Sequence, residues 1–117
     1  MDIEFFREYC LGMQHVTEDT PFGPNTLVMK VHGKMFALCG IDNFSSVNLK
    51  CDPEIAPELR ANYIAVESGF HMNKKHWNTV QIGSYVSDKL LIKMIDDSYN
   101  LVVDTLPKKL KETIKRD

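Results

Sequence analysis

Along TLVMKV (26–31), Leu27, Met29 and Val31 fall on one side of an extended chain, and Val28, Lys30 and His32 fall on the other. Along SVNLKC (46–51), Val47, Leu49 and Cys51 alternate with Ser46, Asn48 and Lys50. A period of two is that of a strand with one face turned to a core. KMFALC (34–39) is a further β-compatible run, and His32-Gly33 between the first two runs is the length of a tight hairpin turn that needs positive φ. The pattern predicts a sheet with an apolar face and a polar face carrying lysines. Such a sheet takes helices on one side only.

A period near 3.6 governs both ends of the chain. Asp2 is placed to cap a first helix with Phe6, Tyr9, Cys10 and Met13 on one side, and Gly12 weakens its end. TEDTPFGPNT (17–26) reads as a loop, punctuated by Pro21, Gly23 and Pro24. Asp52, Pro53 and Glu54 announce a middle helix ending near Asn62, which Pro57 is expected to shorten or distort. Residues 64–72 and 78–82 are expected as two further strands flanking HMNKKHWN. Ser87 caps a segment whose stripe of Leu91, Met94, Ile95, Ser98, Tyr99 and Val102 is largely apolar. Pro107 then interrupts, and KKLKETIKRD closes the chain as a short polar, basic turn or helix. The predicted order is α-β-β-β-α-β-β-α plus a short C-terminal helix. This is an α+β two-layer sandwich on an antiparallel five-stranded sheet.

Length and composition narrow the class. A chain of 117 residues with 44% hydrophobic and 26% charged side chains is expected to form one globular domain, residues 1–117. No apolar run approaches the ~20 residues that span a bilayer. MDIEFFREYC is acidic where a secretory signal is basic, so a cytoplasmic location is expected. Cys10, Cys39 and Cys51 make an odd count without CxxC spacing, which argues against a disulfide framework or a zinc cage and for buried apolar thiols.

The formal net charge of -2 conceals an alternation along the chain. Residues 1–20 set five acidic side chains against Arg7, whereas residues 21–51 set Lys30, Lys34 and Lys50 against Asp42. The stretch 68–86 carries only Lys74 and Lys75, and the last 13 residues are again basic. A basic face can therefore exist on a mildly acidic protein, and so can an ordinary mixed surface.

The densest chemistry lies in GFHMNKKHWNTV (69–80). His71 and His76 flank two lysines, whose ammonium charges repel a cation, and Cys51 and His32 are remote in sequence, so no metal site is expected. No nucleophile elbow, phosphate loop or HExxH motif occurs, and neither an enzymatic activity nor a cofactor is expected. Nucleic acid fits better. Lys74 and Lys75 supply phosphate-directed charge, Asn73, Asn78 and His76 supply hydrogen bonds, and Trp77 supplies a plane for stacking. Lys30 and Lys34 beside the His32-Gly33 turn, with Lys50, make a second contact group, which Lys108, Lys109 and Lys111 extend. Against this, Trp77 and His71 serve equally as packing residues that brace the connection, and a pI near 6.1 is low for a DNA-binding domain. A third class is a protein-interaction module or homodimer, with EDTPFGPN (18–25) either a recognition loop or a plain Ω-type loop over Phe22.

Four stretches together carry a family resemblance. EDTPFGPNTLVMKVHGKMFAL (18–38), VNLKCDPE (47–54), HMNKKHWNTV (71–80) and SYNLVVDTLPKKL (98–110) resemble the MmcQ/YjbR family in the same order over nearly the whole chain. The resemblance implies a CyaY-like or secretion-chaperone-like fold and DNA binding through a double-wing arrangement. It implies no catalytic residues. Pro57 departs from the pattern, standing where a helix-forming residue is expected.

Overall fold

A computed structural model describes residues 1–69, 72–83 and 85–115. His71, weighed above as a packing residue or metal ligand, lies outside the described residues, as do Phe70, Ser84, Arg116 and Asp117. The chain runs α1 (Ile3–Leu11), β1 (Val16–Asp19), β2 (Thr26–Val31), β3 (Lys34–Gly40), β4 (Ser46–Lys50), α2 (Ala56–Asn62), β5 (Val66–Ser68), β6 (Trp77–Gln81), α3 (Asp88–Asp104) and α4 (Lys108–Lys111). The six strands form one sheet in the order β1-β2-β3-β4-β6-β5, antiparallel throughout. The class is the predicted α+β sandwich. The sheet has one strand more than the five expected.

That extra strand is β1, drawn from the stretch read as a loop. VTED shows no apolar alternation, and three of its four residues are exposed. Charge holds it instead. Glu18 accepts two hydrogen bonds from the Arg7 guanidinium on α1, at 2.5 Å each, and Asp19 pairs with Lys30 of the neighbouring strand at 3.2 Å. A short, charged edge strand also deters sheet-to-sheet association.

The caps read from sequence are in place. Asp2 accepts from the Phe5 amide at 2.8 Å and Ser87 from the Leu90 amide at 3.1 Å. Asp52 instead caps a turn. Its side chain accepts from the Glu54 amide, and its carbonyl accepts from the Ile55 and Ala56 amides. The helix proper begins at Ala56, which puts Pro57 in its first turn, where the missing N–H has no helical acceptor to lose. α2 is short, as expected of a segment carrying Pro57, with seven residues, and it ends at Asn62 as expected.

The core lies between the sheet and its helices. Phe6 and Cys10 of α1 and the α3 stripe meet Leu27, Met29, Val31, Ala37, Cys39, Val47, Leu49 and Val80 of the sheet. Ser98 fits this apolar stripe because its hydroxyl donates to the Phe36 carbonyl and accepts from the Lys50 amide at 2.8 Å. Burial pushes the Cys10 and Cys39 thiols up to about 12, so both remain protonated and unreactive. A smaller cluster occupies the opposite face of the sheet: Val28, Leu38 and Trp77, with Met35 and Met72 packed on it.

Candidate nucleic-acid interface

Strand direction gathers the lysines. The hairpin joining β2 to β3 turns at His32-Gly33. β4 is antiparallel to β3, so it ends at Lys50 beside that turn, and β6 is antiparallel to β4, so it begins there at Trp77. The hairpin tip, Lys34, Lys50 and the 69–76 connection consequently share one end of the sheet. His32 (φ 47°) and Gly33 (φ 81°) both have the positive φ of a primed two-residue turn.

The hairpin tip does not stand free. The His32 ring stacks on that of His15 with centroids 4.4 Å apart. His32 Nε2 lies 2.8 Å from the Thr113 hydroxyl, and His15 Nε2 lies 3.3 Å from the Thr113 carbonyl oxygen. The segment that follows α4 is thus docked on the tip, which brings the exposed Lys108, Lys109 and Lys111 to the same end. His15 was not singled out in the sequence. Its neighbour Gln14 and its own positive φ of 61° belong to the turn before β1, a stretch between the helix face that ends at Met13 and the loop that begins at Thr17, to which the sequence pattern assigned no element.

The 69–76 connection is pinned at its base. The Gly69 amide donates to the Trp77 carbonyl at 2.9 Å, and a Cβ on Gly69 would stand 2.8 Å from Trp77 Cβ and 2.9 Å from Trp77 O. Lys74 Nζ folds back to donate to the Gly69 carbonyl at 3.1 Å. Asn73 Oδ1 accepts from the Lys75 amide at 2.9 Å, and its carbonyl accepts from the His76 and Trp77 amides, making a compact turn of the kind Asn favours. His76 is half-buried, and its carbonyl accepts from the Cys51 amide. Arg60 of α2, also not anticipated, donates to the Lys74 carbonyl and to Asn78 Oδ1 at 2.8 Å, tying helix to connection.

The expected contact residues thus divide. Lys34 and Lys75 are exposed, and Lys50 is half-buried opposite Trp77 in the β4–β6 ladder. The Lys74 ammonium and the Asn73 side chain are engaged within their own loop. Lys30 lies further down β2 and is bound to Asp19, whose carboxyl it holds below the usual range. Trp77 is 7% exposed and packs against Val28 and Leu38. Asn78 is buried on the other side of β6, against Arg60 and Ala56. Among the described residues no three His, Cys, Asp or Glu side chains converge as a metal ion requires. No described helix is long and apolar enough to cross a membrane.

Known proteins share this architecture. The YjbR family model matches residues 11–101. The chain is 41% identical over 113 residues to the uncharacterized protein YbdF of Escherichia coli O157:H7, covering 96% of this chain and 93% of that one. It is 28% identical over 115 residues to the uncharacterized protein YjbR of Escherichia coli K12, covering 97% and 98%. Among solved structures, the Deinococcus radiodurans protein DR2400, with a DUF419 domain, superposes with a TM-score of 0.88 at 35% identity, covering 95% of this chain and 86% of that one. A Pseudomonas syringae protein superposes with a TM-score of 0.72 at 27% identity, covering 86% and 98%. The family match and the full-length likeness to YbdF agree with the fold: this chain belongs to the YjbR family.

Proposed function

We propose that the protein binds DNA non-enzymatically, through its backbone, at the end of the sheet where the hairpin tip meets the 69–76 connection. The observation that carries this reading is the convergence of Lys34, Lys50 and Lys75 with the α4 lysines on that end, from four separate parts of the chain. Lysine ammonium groups on an exposed rim attract phosphate without reading sequence, and their attraction falls steeply with salt. With Trp77 inside the molecule, stacking contributes nothing, so the binding is weak and sequence-independent. Lys34→Glu with Lys75→Glu reverses two exposed charges on the rim. It is expected to weaken binding to every DNA sequence tested and to flatten the salt dependence by roughly two phosphate contacts. An unchanged salt slope in this variant contradicts the reading.

A second reading, a protein-docking surface, is favoured by one observation. Phe22 is 65% exposed and lines a hollow of about 410 Å3 on the helix-free face, together with Leu38 and Met72. Phe22→Asp separates the two readings. It abolishes self-association or capture of a partner if the hollow is a docking surface, and it leaves DNA affinity unchanged if the lysine rim acts.

A further inference from the structure

The helices leave part of the sheet uncovered. α3 packs over β2, β3 and β4, and α2 packs over β5 and β6. Between them a cleft of about 360 Å3 opens onto the β4–β6 pair. Leu49 and Val80 form its floor, and Leu59, Met94 and Leu101 wall it from the two helices. Its size is that of a small-molecule site, which lies at roughly 300–1,000 Å3. The lining also carries Asp52, Asp97 and Asp104 against two lysines. Of these, Lys93 is bound to Asp97 at 2.8 Å, and Lys50 belongs by strand alternation to the opposite face of the sheet. Asp52 and Asp97 both line the cleft, together with Cys51.

We propose that this cleft is a binding site for a small apolar amine, its carbon chain against Leu49, Val80 and Met94 and its ammonium between Asp52 and Asp97. Apolar walls select the chain, and a carboxylate-rich mouth selects a cation over an anion. The same charges repel phosphate, so the cleft and the lysine rim, which adjoin at Lys50, take ligands of opposite charge, and each reading is tested independently of the other.

The test is an amide-resolved NMR titration of the full chain with n-hexylamine, 1-hexanol and hexanoate at matched ionic strength. Hexylamine is expected to shift the amides around Leu49, Leu59, Val80 and Met94 saturably. It should bind about fivefold more tightly than hexanol, as a solvent-exposed charge contact implies, with hexanoate weakest. Asp97→Asn, a change at an exposed position, is expected to lower the hexylamine affinity to that of hexanol. Leu101→Trp fills the cleft and is expected to abolish binding of all three. Equal affinity for amine and carboxylate, shifts centred on Leu38 and Met72, or no saturable shift with any of the three overturns the proposal.

Discussion

Gly69 sits where a side chain has no room. The atoms a Cβ would meet are the Trp77 Cβ and carbonyl oxygen, neither of which is the far end of a flexible chain. Gly69→Ala therefore forces the connection off β6 and is expected to destabilise the fold by about 1–3 kcal/mol, read from urea unfolding followed by Trp77 fluorescence. An unchanged midpoint would mean that the close approach is not needed. Trp77 itself illustrates the limit of composition as a guide. In sequence it stands among lysines and asparagines and suits base stacking equally well; in the fold its strand position turns it onto Val28 and Leu38. Trp77→Phe is accordingly expected to leave DNA affinity unchanged in the folded variant, measured by anisotropy. A loss near the ~1–3 kcal/mol per base that stacking provides would return Trp77 to the contact surface.

At the scale of elements, β1 is the part of the sheet held most by charge. Arg7 holds the Glu18 carboxyl below the usual carboxylate range by its hydrogen bond, and Lys30 does the same for Asp19. A carboxyl whose folded pKa is depressed contributes stability above its unfolded pKa and loses it as pH falls through the folded value. Both contributions are thus present at neutral pH and vanish in acid, below roughly pH 4. Amide exchange of Val16–Asp19, corrected for intrinsic rates, is expected to accelerate in that window ahead of β2–β4. Uniform acceleration across the sheet would contradict the charge-held edge. The same feature explains why β1 escaped the sequence pattern: its partners are charges brought from α1 and β2, and no period records them. The strands and helices that bury an apolar stripe were legible, because β2, β4 and α3 each carry the period of their own geometry. The caps Asp2 and Ser87 were legible for the same local reason. The start of α2 was displaced because the Asp52 turn satisfies the capping residue before the helix begins.

For the whole molecule, the end-of-sheet gathering of lysines follows from topology, which sequence pattern alone does not supply. The insertion of β6 between β4 and β5 places the 69–76 connection on the hairpin side of the sheet. Thr113 then anchors the basic C-terminal segment to the hairpin tip through His15 and His32. Of the residues singled out in the sequence, Lys34, Lys50, Lys75 and the α4 lysines meet at that end. Lys30, Lys74 and Asn73 are engaged by Asp19, the Gly69 carbonyl and the Lys75 amide, and Lys108 of α4 is paired with Glu112 at 3.9 Å. The local charge runs were readable, but which charges remain for a partner depended on tertiary pairing. The account rests on this rim binding phosphate, and fluorescence anisotropy of labelled duplex DNA across a salt series from low ionic strength to about 150 mM tests it most directly. It predicts binding at low salt whose logarithm falls linearly with the logarithm of salt, by a slope of roughly -3 to -5 for about four to five neutralised phosphates. No binding at low salt, or binding indifferent to salt, would contradict it.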